Sequence, residues 1–272
     1  MPDLINDREF KRALDAASQA ANAAGRLMSE NLHRAKKVNE STRHDIKLEL
    51  DVRCQRVITS ILAGSFPGIP VLGEEATDEA VYQSQARWVV DPIDGTVNFA
   101  HGIPHSAVSI ALQVRETPRT AGFEDGYATV AGVVLDPFAG ELFSAIRGKP
   151  ARLNERVIRV SKRPLSDAII SLGFSGRAGS VPAMVRDVQE LSARVRKLRI
   201  MGSAALALVY VAAGRFDAYV EHGIRLWDIA AGGLIIECAG GEFRRRLVPG
   251  SDGLIALCAS NGLVGRSLRR KR

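Results

Sequence analysis

The sequence predicts a mixed α/β protein, and three of its features point to that class. An alanine-rich stretch with apolar residues at helical spacing comes first. A block of β-branched and apolar runs broken by turn residues follows. Beyond about residue 150, strand-like and helix-like segments alternate. With 272 residues and 46% hydrophobic content, the chain can bury a sizeable core as one large domain or as two closely packed halves.

Residues 7–33 set Phe10, Leu14, Ala17 and Ala21 on one face, the pattern of a long amphipathic helix. A second helix is expected from about Leu48 to Ala63, stopped by "FPGIP" at 66–70. The period then changes. "IPVLGEE" (69–75) and "ARWVVDP" (86–92) are short runs ended by turn residues, and "HSAVSIALQV", "ATVAGVVLDP" and "GELFSAIRG" continue as strands. The polar stretch "RETPRTAGFEDGY" (115–127) is expected as a surface loop between antiparallel strands. Further on, "VPAMVRDVQELSARV" and "SAALALVYVAAGR" predict helices and "FDAYVE" a strand. "WDIAAGGLIIECAGG" reads as a helix closing on glycines, and "GLIALCAS" as a last strand.

Several functional classes lose support at this level. No run of eighteen apolar residues occurs, and "MPDLINDREFKRALDAA" lacks a signal-peptide core, so a soluble cytoplasmic protein is expected. Cys54, Cys238 and Cys258 are odd in number and lack C-x-x-C spacing; buried free thiols are expected rather than zinc or disulfides. The net charge of +7 is concentrated in "FRRRL" (243–247) and the terminal "RSLRRKR". Neither run interleaves aromatic residues as a single-strand nucleic-acid surface does, so they are expected as solvated faces or a frayed tail.

The chemistry concentrates in "WVVDPIDGTVNFAHG" (88–102). Pro92 biases Asp91 towards extended geometry, so the strand should end at Asp91, and Gly95 allows a tight turn that returns Asp94 beside it. Two carboxylates held that close repel unless one is protonated or a cation lies between them. Hard cations such as Mg²⁺ take oxygen ligands, often few carboxylates plus a substrate phosphate. A D-P turn followed by a D-G turn would also produce this sequence without any site. "GEE" sets Glu74 and Glu75 at another strand end, and "LWDIAAGG" sets Asp228 at a helix start, where an acid also serves as a cap. His101 and His105 flank the central motif and are expected in loop packing.

Taken together, "GEE", "WVVDPIDGTVNFAHG" and "WDIAAGGLIIECAGG" resemble the motifs of the inositol monophosphatase family of Mg²⁺-dependent, lithium-sensitive phosphatases. Order and separation fit from about Asp45 onwards. The resemblance implies a layered αβαβα sugar-phosphatase fold. An N-terminal α+β half (1–149) would carry the main motif, and a C-terminal α/β half (150–272) the second. It implies that Glu74, Asp91 and the Ile93 carbonyl bind one Mg²⁺, that Asp91, Asp94 and Asp228 hold a second, and that the site takes two or three ions in all. Thr96 would work with Glu74 to orient and deprotonate the attacking water, with Asp51 hydrogen-bonded to Thr96; Glu75 would act at most from outside the ligand set or through water. Gly202, Ser203 and Ala204 match the segment lining the substrate, and Glu221 matches a glutamate that binds an inositol hydroxyl. Ser203 could equally cap the following helix. Gly95 and Thr96 offer consecutive main-chain N–H groups to a phosphate. A homodimer is implied by the family alone.

The chain departs from the family pattern at Glu40, where a lysine is usual, at Leu48, where a threonine is usual, and at Pro150. The first two bear on the loop that organises a third, weaker ion. "DGTVNFAHG" and Glu221 resemble the inositol-type members, so the expected reaction is hydrolysis of a small phosphorylated polyol, first of all myo-inositol monophosphate, by a metal-activated water. Histidinol phosphate, fructose 1,6-bisphosphate and 3′-phosphoadenosine 5′-phosphate remain alternatives. So, more distantly, does an RNA- or protein-binding regulator on a phosphatase scaffold.

Overall fold

The computed structural model describes residues 7–41, 46–116, 123, 125–174 and 180–269. Asp45, most of the expected 115–127 loop and the last three residues of the basic tail lie outside the described residues, as does the Glu40 side chain. The N-terminal helix forms as α1, Asp7–Asn31. Its buried stripe of Ala13, Ala17, Ala20, Ala21, Ala24 and Met28 lets it lie close against a sheet. A short hairpin, β1 (Val38–Ser41) and β2 (Ile46–Leu48), leads into α2, Glu49–Ser65.

The strands β3 (Val71–Gly73) and β4 (Ala86–Asp94) run parallel. After the short helix α3 (Thr96–Ala100), β5 (Ala107–Arg115), β6 (Tyr127–Asp136) and β7 (Glu141–Ile146) follow as an antiparallel meander. The two-residue strands β8 (Arg152–Leu153) and β9 (Arg156–Val157) extend it to a seven-stranded sheet in simple sequence order.

The second sheet begins with β10 (Ile169–Leu172). Next come α4 (Ser180–Ser192), β11 (Lys197–Arg199), α5 (Ala204–Ala212) and β12 (Ala218–Ile224). The chain closes with α6 (Leu226–Cys238), β13 (Glu242–Leu247), β14 (Ile255–Ser260) and α7 (Leu263–Arg269). Strand order is β11-β10-β12-β14-β13, parallel across β11, β10 and β12 and antiparallel beyond.

Helix patterning explains the stacking. The helices α5 and α6 are apolar around most of their circumference, and such a helix must be covered on every side. They lie between the two sheets, whereas α1 with α2, and α4 with α7, close the two outer faces. The result is the expected five-layer αβαβα order. No helix of the described residues is long and apolar enough to cross a membrane.

Three expectations need correction. The strand does not end at Asp91: β4 continues to Asp94. It does so through an irregularity that takes Pro92, which has no N–H to give, out of the ladder. "FRRRL" is not merely a solvated face but forms most of β13, the edge strand of the second sheet. Of the three free thiols only Cys54 is fully buried, since Cys238 and Cys258 are half-buried.

Candidate active site

Strand alternation alone would put Asp91 and Asp94 on opposite faces of β4. Trp88 and Val90 point to the α1/α2 side and Val89 to the α5/α6 side, so Asp91 faces α6. Residues three apart then diverge. Between them the register slips: Asp91 pairs with Ser109 and Asp94 with Ala107, three steps on β4 against two on β5. This β-bulge turns Ile93 into the α1/α2 core and returns Asp94 to the Asp91 face. The Ile93 N–H donates to Asp91 Oδ1 (3.0 Å) and locks the corner.

The two halves of the chain meet at these carboxylates. Asp94 faces the N-terminus of α5 and accepts from the main-chain N–H of Ala205 (2.8 Å) and Ala204 (3.3 Å) and from the Ser203 hydroxyl. Ser203 is also the N-cap, accepting from Leu206 N–H at 3.3 Å. Asp228 stands in the first turn of α6, where its carboxylate accepts the Arg225 N–H (2.9 Å). The cap and the site are therefore one residue. Ligand atoms of Asp91, Asp94 and Asp228 lie within 4.8 Å of one another.

Like charges at that separation repel by about 3 kcal/mol per pair at an effective dielectric of 20. Among the described residues, no lysine or arginine ion pair reaches the three. Burial, then the charge of Glu74 and the other two aspartates, holds the Asp91 carboxyl well above its ordinary value. Burial and the charges of Asp94 and Glu74 do the same for Asp228. Asp94 is raised by burial only to about 6, because Ser203 and the α5 N–H groups favour its charged form. An all-oxygen, anionic and uncompensated cluster of this kind suits a hard divalent cation.

Glu74 leaves β3 with its N–H on the Val90 carbonyl (3.2 Å), close enough to act on Asp91 and Asp228 electrostatically but outside the tight triad. At the turn, the Thr96 hydroxyl donates to the Ile93 carbonyl (2.9 Å). The buried Asp51 carboxylate, in the first turn of α2, accepts the Leu48 N–H (2.6 Å). Gly95 has φ of +92°, and a β-carbon there would sit 3.0 Å from the Gly202 carbonyl and 3.1 Å from that of His105. Only glycine suits both demands. Glu221, buried on β12, accepts from the Tyr219 hydroxyl. Exposed His101 and half-buried His105 stay outside the triad; the His105 ring packs edge-on against Tyr210, and burial lowers its pKa.

Sequence reasoning missed Asn98. Its amide donates to the carbonyls of His105 (2.9 Å) and Met201 (2.8 Å), tying the central motif to the segment before α5. Its place inside the longest motif was the only available signal. Ala205, Tyr219 and Gly173 carried none, being ordinary residues of apolar runs.

The model of the inositol monophosphatase family matches residues 10–247, which span every element of this site. The chain belongs to the inositol monophosphatase family. It is 38% identical over 264 residues to the inositol-1-monophosphatase of Mesorhizobium japonicum, covering 94% of each chain. To the Nus factor SuhB of Xylella fastidiosa it is 39% identical over 235 residues, 85% of this chain and 81% of that one. Among solved structures, the extragenic suppressor protein suhB of Bartonella henselae superposes with a TM-score of 0.83 at 35% identity, covering 94% of this chain and 96% of that one. The layered architecture is thus that of inositol monophosphatases, and the chain is a phosphatase of this family.

Proposed function

We propose that the protein is a Mg²⁺-dependent phosphomonoesterase acting on a small phosphorylated polyol, first of all myo-inositol monophosphate. The observation that carries this reading is the close triad of buried Asp91 and Asp94 with half-buried Asp228, set at the Thr96 turn. Asp91, Asp94 and Asp228 would hold one ion, and Glu74, Asp91 and the Ile93 carbonyl another, with two or three ions in all. Bound Mg²⁺ supplies a water of lowered pKa and stabilises charge on the leaving oxygen.

The chain's own groups do the rest. The Thr96 proton already goes to the Ile93 carbonyl, so towards a water the Thr96 oxygen is an acceptor. Thr96 and Glu74 then aim the attacking water, and Glu74 takes its proton. Asp51 supports this corner from the first turn of α2. The main-chain N–H groups of Gly95 and Thr96 meet the phosphoryl oxygens. The 202–204 segment walls the polyol side, and Glu221 accepts one of its hydroxyl protons. A homodimer acting in the cytoplasm completes the reading.

The test is phosphate release from inositol phosphates, fructose 1,6-bisphosphate, histidinol phosphate and 3′-phosphoadenosine 5′-phosphate, with and without Mg²⁺ and with Asp94→Asn as the blank. A Mg²⁺-dependent preference for an inositol monophosphate supports the proposal, and activity on none of the panel sinks it. The relatives named Nus factors favour a second reading, as a regulator that binds RNA or protein. That role predicts binding that weakens steeply with salt and survives Asp94→Asn.

A further inference from the structure

Glu221 is buried on β12, yet the proposed reading gives it contact with substrate. Two residues earlier on the same strand face stands Tyr219, 3% exposed, whose hydroxyl donates to Glu221 Oε2. Neighbouring β10 runs parallel to β12, with Ser171 opposite Tyr219, and leads on to Gly173, whose N–H donates to the Val220 carbonyl (2.9 Å). A β-carbon at Gly173 would overlap the Glu221 carboxylate and lie 2.6 Å from the Tyr219 hydroxyl oxygen. Gly173 therefore keeps open the space in which phenol and carboxylate meet.

We infer that Tyr219 is a positioning residue that sets selectivity for hydroxyl-bearing phosphate esters by holding the Glu221 carboxylate in one rotamer, with Gly173 leaving the room this requires. The inference rests on the reading of Glu221 as acceptor for a substrate hydroxyl. Three observations support it. A buried carboxylate needs donors, and a phenol supplies one while leaving the carboxylate capacity for further donors. Burial, reinforced by the charges of Glu221, Asp94 and Asp228, pushes the Tyr219 pKa well up, so the group stays a donor at any working pH. The charges of Asp94 and Asp228 act on Tyr219 too, which puts the pair within electrostatic range of the acidic triad.

The experiment compares wild type, Tyr219→Phe and Glu221→Gln on an inositol monophosphate and on p-nitrophenyl phosphate, which has no hydroxyl for Glu221. Tyr219→Phe is expected to raise KM for the inositol ester by about 10- to 150-fold, the size of one hydrogen bond to a charged group, with a smaller change for the aryl ester. The loss should fall in KM rather than kcat, a split that a merely structural role would not produce. If Glu221→Gln shifts the preference between esters and Tyr219→Phe does not, the inference about Tyr219 is overturned while Glu221 keeps its role. If Glu221→Gln does not shift it either, the underlying reading of Glu221 fails, and this inference with it. Gly173→Ala, which crowds the carboxylate, should reproduce the Glu221→Gln preference, and a wild-type preference in that variant would also count against the inference.

Discussion

Asp91 and Asp94 share one face of β4 only because a bulge lies between them, pairing them with Ser109 and Ala107 on the neighbouring strand. The bulge brings together two acids that a regular strand would separate, and Pro92 inside it gives up no ladder hydrogen bond. Asp94 then meets the N-terminus of α5, which is the link between the main motif and the second half of the chain.

That link makes Asp94 the most informative substitution. Asp94→Asn removes a charge facing both the proposed cation and the α5 N–H groups, and is expected to lower turnover at saturating Mg²⁺ by at least ~10². Steady-state phosphate release measures it, and turnover within a few-fold of wild type would contradict the assigned role.

Mutual repulsion in the triad should make the fold sensitive to divalent cations. A ligand at a hundred times its Kd stabilises the native state by about 2.7 kcal/mol, which for a chain of this size is a rise in Tm of roughly 5–10 °C. Thermal unfolding with and without Mg²⁺ should show that rise in wild type and a much smaller one in Asp91→Asn. Equal shifts in the two proteins would place the stabilising ion elsewhere.

Asn98 should matter for stability and for substrate affinity together. Asn98→Ala leaves the carbonyls of Met201 and His105 without their donor, a loss of about 1–3 kcal/mol. A lowered Tm with raised KM is expected, because the segment before α5 loses its tie to the central motif. An unchanged Tm would show that water replaces the amide without cost.

The cysteines should differ in reactivity. Burial pushes the Cys54 thiol up to about 12, so at pH 8 only about 10⁻⁴ of it is thiolate. Titration of the native protein with a disulfide reagent should leave Cys54 unmodified until the chain is unfolded. Cys238 and Cys258, half-buried, should react earlier, and rapid native modification of all three would refute the burial argument.

Much of this protein was legible in its sequence because the signals are local. The stripe of α1, the apolar runs of β4 to β7 and the all-round apolarity of α5 and α6 depend on residues within a few positions of one another, as does the turn at Gly95. Most of the acids were legible too, since Glu74 follows a strand, Asp94 ends one and Asp228 begins a helix, whereas Asp91 lies inside β4. Weakly patterned segments were not. The basic run of β13 and the two-residue strands β8 and β9 are strands because a neighbour offers them hydrogen bonds, which no local composition announces.

What the sequence determined by itself, then, was the set of elements and the residue types at their ends. Tertiary structure decided which way those residues face and what they meet. The bulge reverses the parity of β4, the N-terminus of α5 receives Asp94, and the cap of α6 delivers Asp228 to the same point. Asn98 and Gly173 acquire meaning only from partners distant in the chain. The physical reason is that side-chain direction in a strand depends on its register with its neighbours, and register is settled when sheets and helices pack, not residue by residue.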